Sequence, residues 1–156
     1  MRDSVFLKAA LGVALLAASA TADIRAWTPA DEPGTPEHAV RDFLIALRNG
    51  DADAALALFD DAPWLGTEWE PEVRANRARL EDLGTGEPLG FVYDIPRRAA
   101  ADRTVPDLGR DEVVICEAGL SYPDGAGGWS ALELNVFYLM RFGETWKVTL
   151  WKAKNP

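Results

Sequence analysis

The sequence predicts an α+β fold, with N-terminal helices packed on a curved four-stranded antiparallel sheet. Two observations carry that prediction. Apolar residues recur at helical spacing in three segments between Thr35 and Leu83, and after Gly86 the period changes to two over four successive runs. Helices that come in one block before the strands, rather than between them, favour a helical layer laid on one antiparallel sheet.

In chain order, residues 1–22 have the pattern of a secretory signal. Arg2 and Lys8 flank the start of an apolar run, residues 9–18, and the segment ends at Ala20-Thr21-Ala22, an A-x-A cleavage pattern. The run is about half of the roughly 20 apolar residues a membrane span needs, and Asp23 stands where a lipid-carrying cysteine would have to be. The expectation is a periplasmic or secreted protein with no membrane attachment after cleavage. Residues 23–34 carry two prolines and several charges and read as an extended arm in which Ile24 and Trp27 alone would dock.

Residues 35–156 are expected to form one domain. The 134 residues left after cleavage suit a single core that buries about two thirds of the unfolded chain's surface. Cleavage removes Arg2, Lys8 and Asp3 from the 16 basic and 25 acidic side chains, leaving 14 against 24. The resulting negative field repels nucleic acid and anionic lipid surfaces.

Thr35 is placed to cap the first helix, with Pro36 in its first turn and Val40, Phe43, Leu44 and Leu47 on one buried stripe. Asn49-Gly50 stops it. Asp51 caps a second, shorter helix at once, in which Ala55, Leu58 and Phe59 share a face. A third is signalled by Thr67 three residues before Glu70, the spacing of a capping box, with Gly84 beyond its end. Its buried stripe is Trp69, Val73, Asn76, Leu80 and Leu83, while Glu70, Arg74, Arg77 and Glu81 make a solvated ion-pair row.

Strands are expected over residues 89–95, 112–122, 129–140 and 144–152. A three-residue loop ending at Gly143 pairs Tyr138 with Trp146 and Val136 with Val148, and an even register across the preceding hairpin aligns Leu120 with Ser130. One face then carries Leu134, Val136, Tyr138, Met140 and Trp146 beneath the helices. The other holds Phe137, Leu139 and Trp151. That second face is too apolar to be fully wetted, so it predicts a covering partner or a homodimer through those three residues.

The side chains that would carry chemistry are few. Cys116 is the only cysteine, so it has no intramolecular disulfide partner and reads as a small buried hydrophobe. His38, the only histidine, lies far from it in sequence. Asn76 interrupts an apolar stripe and needs a polar partner, either backbone, water or ligand. Trp64 and Trp69 flank Gly66-Thr67 and read either as a hydrophobic plug or as the roof of a pocket. The even register sets Glu117 opposite Glu133, a pairing that calls for a shared proton or a cation unless the register shifts. Residues 96–110 hold Arg97, Arg98, Arg103 and Arg110, the one locally basic stretch, and read as a solvated loop or an anion-receiving one. No phosphate-cradling glycine loop, nucleophile elbow, paired-cysteine motif or dinucleotide fingerprint occurs, so no cofactor and no metal is indicated.

Residues 35–63, TPEHAVRDFLIALRNGDADAALALFDDAP, resemble the opening of the nuclear transport factor 2-like superfamily, also called cystatin-like. The likeness is to its small exported bacterial members related to polyketide-cyclase-like domains. Residues 134–152, LNVFYLMRFGETWKVTLWK, resemble the end of the same domain. The resemblance implies a first helix lying along a concave sheet and a second turning away at Asn49-Gly50, which leaves a cone-shaped pocket. It also implies a choice of functions, because the superfamily holds isomerases, dehydratases and cyclases as well as proteins that only bind or dimerise. The leading expectation is a noncatalytic domain that binds a small apolar ligand or a protein partner, with Tyr138, Asn76, Trp64, Trp69 and Trp146 as candidate ligand contacts. The alternatives are a lyase or isomerase using Tyr138 with a carboxylate such as Asp60 or Asp61, and a structural homodimerisation module.

Overall fold

The computed structural model describes residues 28–85, 90–99 and 113–154. The expected export signal, the arm's Ile24 and Trp27, and Arg103 and Arg110 lie outside the described residues. The architecture is α+β: helices α1 (Pro36–Asn49), α2 (Ala52–Ala57) and α3 (Glu70–Glu81) pack on a curled antiparallel sheet. Its strands are β1 (Val92–Tyr93), β2 (Arg97–Arg98), β3 (Val114–Ser121), β4 (Glu133–Phe142) and β5 (Thr145–Ala153). Both β1 and β2 lie along the same side of β3, so the sheet is four strands wide.

Of the first strand expected over residues 89–95, only Val92–Tyr93 is a strand; Pro96 brings no N–H to the ladder, and Arg97–Arg98, in the stretch expected to be a loop, pairs with β3 beyond it. Asp94 spans the gap: its N–H donates to the Gly119 carbonyl at 3.0 Å and its carboxylate accepts from the Gly119 N–H. Residues 28–34 are not extended as expected. Pro29–Asp31 forms a 3-10 turn that buries Ala30 against α1, held by the Thr35 hydroxyl donating to the Pro29 carbonyl at 2.6 Å.

Local signals set the helix ends. The Thr35 side chain accepts from the His38 N–H at 3.2 Å, and Gly50 closes α1 in the left-handed region at φ 68°. Asp51 accepts from the Ala54 N–H at 3.0 Å and starts α2 at once. The expected capping box at Thr67 does not form. Thr67 instead accepts from Trp69 N–H and donates to the Trp64 carbonyl, while Glu70 reaches back to the Gly66 N–H at 2.7 Å. At the other end of the sheet layer, Glu37 in the first turn of α1 is buried and ties the helix to β2 through Arg98, at 3.0 and 3.3 Å.

The register corrects the expected faces. Leu120 pairs with Glu133 and Cys116 with Phe137, which is an odd offset from the even register expected. An odd slip turns every side chain of a strand to the opposite face. Phe137 and Leu139 therefore join Val114, Cys116, Ala118 and Leu120 beneath α1, and Val136 and Tyr138 turn to the other side. Phe137, Leu139 and Trp151 do not form an outward face for a second copy. They are buried in the chain's own core against Phe43 and its neighbours. The same slip separates Glu117 from Glu133: Glu117 lies opposite Val136 and its carboxylate meets Lys154 Nζ at 2.7 Å.

The hairpin of β4 and β5 turns through two residues, Gly143 and Glu144, rather than the three expected, with Phe142 opposite Thr145 and Leu139 opposite Val148. Such a turn alone would mix the faces of β5. A bulge between Tyr138 and Leu139 resolves that: Tyr138 pairs with Leu150, leaving Thr149 as the extra residue, so Val148 and Trp151 both face the helices. The buried Thr149 hydroxyl donates to the Tyr138 carbonyl at 2.9 Å.

Among the described residues strand β5 has no strand beyond it, and two segments cover its edge. The Val148 N–H donates to the Leu58 carbonyl at 2.8 Å and the Asp60 N–H donates to the Val148 carbonyl at 3.0 Å. Further along, Asn76 of α3 pairs with the backbone of Trp151. This explains the short second helix. The stop at Gly50 releases the chain so that α2 carries it from the end of α1 to the exposed ladder of β5.

Candidate functional site

A cleft of about 270 Å³ lies between α1, the C-terminal end of α3 and the sheet. Leu44 and Leu47 line it from α1, and Leu83 from just past the end of α3. Leu120, Phe137 and Trp151 line it from three adjacent strands, and Phe91 from the segment just before β1. The floor is rigid: Trp151 is held edge-on by Phe43 at 5.2 Å and by Phe59 at 5.9 Å between ring centres. Apolar walls converging from several elements, with a few polar groups at one end, are the ordinary make-up of a small-molecule site.

Those polar groups are Arg79, Asp82 and Tyr122. The Arg79 guanidinium lies over the Trp151 ring, 5.5 Å from its centre. Tyr122 is half-buried beside Phe91, 5.8 Å between ring centres. The base of the hairpin loop fixes its backbone, with Ser130 N–H donating to the Tyr122 carbonyl at 2.7 Å and Tyr122 N–H donating to the Ser130 hydroxyl at 3.0 Å. Burial pushes the Tyr122 hydroxyl above the usual phenol range, helped by the Glu133 charge and opposed by that of Arg79. The hydroxyl therefore keeps its proton and can donate a hydrogen bond.

A second hollow, about 570 Å³, is a trough between Thr28–Asp31, Arg41 and Arg48 on one side and residues 92–96 on the other. It is edged by Thr28, whose preceding residues lie outside those described. The convergent apolar walls of the first cleft make that one the candidate site.

No protein-family model matches the chain, and no curated protein matches it.

None of the five residues expected from the sequence lines this cleft. Trp64 and Tyr138 are buried together on the opposite side of the sheet, edge to face at 6.0 Å, in a cluster with Val73, Ile115, Val136 and Leu150. Trp69 packs on that cluster, with Lys152 Nζ 4.3 Å from its ring centre. The structure thus brings Trp64, Trp69 and Tyr138 together as a hydrophobic plug. Asn76 is buried with both ends of its amide on the Trp151 backbone, and Trp146 is half-buried opposite Arg141 near the hairpin turn. Asp61 is bound by Arg77 through two hydrogen bonds, 2.8 and 2.9 Å. Among the described residues, no group of three His, Cys, Asp or Glu side chains stands together to hold a metal ion.

The cleft residues passed over in sequence are Arg79, Asp82 and Tyr122 at the rim and Phe137 and Trp151 within. The last two were hidden by the register. Arg79 carried a faint signal: Ala75 and Leu83 stand four residues to either side of it, so it has no helical ion-pair partner at that spacing, unlike Arg74 or Arg77.

Proposed function

We propose that this protein is an exported, noncatalytic binding domain of the nuclear transport factor 2-like type, holding a small apolar or amphipathic molecule between α1, the end of α3 and the sheet. The observation that carries the reading is the cleft itself: a recess of about 270 Å³ with leucine and aromatic walls and only three polar lining residues, Arg79, Asp82 and Tyr122. The α+β layering, with the first helix stopped at Gly50 and the second turned away to the sheet edge, agrees with the resemblance in residues 35–63 and 134–152. Tyr138, the hydroxyl that a lyase or isomerase would have used, faces the other side of the sheet from the recess.

A neutral fluorescent probe, N-phenyl-1-naphthylamine, tests the proposal. Saturable binding near one equivalent is expected, abolished by Leu47→Trp and by Leu83→Trp, each of which fills the recess. Melting curves identify variants that stay folded. Probe binding that is absent, or that persists in both folded variants, overturns the reading.

A further inference from the structure

We propose that the molecule held in this cleft is a single-chain amphiphile with a monoanionic carboxylate head, the head at Arg79 and Tyr122 and the chain along Leu44, Leu47 and Phe137; the inference rests on the cleft being a binding site. Arg79 sets it apart from an ordinary greasy recess. Among the described residues, Arg41, Arg74, Arg77, Arg97, Arg98 and Arg141 each meet a carboxylate within ion-pair distance. Arg48 and Arg79 meet none, each lying over an aromatic ring; of the two only Arg79 lines this cleft, and it makes no hydrogen bond to any described residue. Its exposed guanidinium stands over Trp151, one wall of the cleft, 5.5 Å from the ring centre, and its N–H groups have no acceptor among the described residues.

A guanidinium with free donors matches a carboxylate in a two-bond geometry, and the Tyr122 hydroxyl supplies a further donor at the same rim. Asp82 lines that rim too, and the Glu133 charge acts on Tyr122. With Asp82 at the cleft and the Glu133 charge felt at Tyr122, each further negative charge on the head is repelled, which disfavours a phosphate dianion more than a carboxylate. Below the rim no further polar group lines the cleft, so the rest of the ligand is an apolar chain of medium length.

Calorimetric titration with decanoate, decanol and decyl phosphate, below their aggregation concentrations, tests the head group. Decanoate should bind at least about tenfold more tightly than decanol, the effect of one charge-assisted hydrogen-bonded contact. That advantage should vanish in Arg79→Gln, return in part in Arg79→Lys, and grow in Asp82→Asn. Decyl phosphate should bind more weakly than decanoate. Equal binding of decanoate and decanol, unchanged by Arg79→Gln, overturns the head-group inference and leaves the cleft as an apolar site. Decyl phosphate binding above decanoate overturns the monoanion preference. Failure of the decyl compounds while N-phenyl-1-naphthylamine still binds overturns the amphiphile alone, whereas failure of every ligand brings down the binding reading itself.

Discussion

The side-chain amide of Asn76 substitutes for a missing strand: its Nδ2 donates to the Trp151 carbonyl and its Oδ1 accepts from the Trp151 N–H, each at 3.1 Å. A helix residue thereby satisfies both backbone groups of one position on the outer edge of β5, and it does so directly behind the ring that floors the cleft. The polar interruption in an apolar helical stripe is thus the device that docks α3 on the sheet.

Asn76→Ala should lower stability by about 2–4 kcal/mol, since it strands a buried N–H and a buried carbonyl, each costing about 1–3 kcal/mol. Asn76→Asp should also destabilise, because a carboxylate has no donor for the Trp151 carbonyl. Urea unfolding is the measurement, and a loss under about 0.5 kcal/mol for the alanine variant would show that the edge pairing is incidental.

The bulge at Thr149 makes a similar prediction. Thr149→Val keeps the shape but removes the hydroxyl that donates to the Tyr138 carbonyl at 2.9 Å, at an expected cost of about 1–2 kcal/mol. Thr149→Ser, which keeps the hydroxyl, should recover much of that loss. A valine variant as stable as the parent would mean that the irregular register is held by packing alone.

Asp61 and Arg77 give a pH dependence. The paired hydrogen bonds and charge of Arg77 hold the Asp61 carboxyl below its usual 3.8, and Asp61 holds the Arg77 guanidinium further up. Because the folded value is the lower one, the stabilisation is complete above the unfolded carboxyl's range near 3.8 and is lost as pH falls through the depressed folded value. Arg77 is more than a third exposed, so solvent screening limits the pair to about 1 kcal/mol. Asp61→Asn should be less stable than the parent at pH 7, with the difference shrinking below pH 3.8. A difference that is constant from pH 7 to pH 2 would refute the ionic origin.

Cys116 lies fully buried on β3, and burial, aided by the Glu37 charge, pushes its thiol up to about 12. The native protein should resist Ellman's reagent at pH 8 over hours, and should yield one thiol on unfolding in urea. Rapid labelling of the native state would show that the core around Glu37 and Arg98 opens readily.

The amino-acid sequence by itself determined both ends of α1, the start of α2 and the order of the elements. Thr35, Gly50 and Asp51 act on backbone groups within four residues of themselves, so their roles do not wait for the rest of the chain. The stripe Val73, Asn76, Leu80 was legible for the same reason. What the sequence left open was pairing. The centre of β4 is apolar at every position from Val136 to Met140, so alternation fits two registers equally well and no local rule selects one. Only the tertiary structure decided between them, by filling the space beneath α1 with Phe137 and Leu139 and admitting a bulge at Thr149. That choice moved Tyr138 away from the cleft and Trp151 into it. The rim of Arg79, Asp82 and Tyr122 was equally a product of tertiary structure, since two of its members lie at the end of a helix and the third at the end of a strand. Groups so far apart in the chain become neighbours only once the layers have packed.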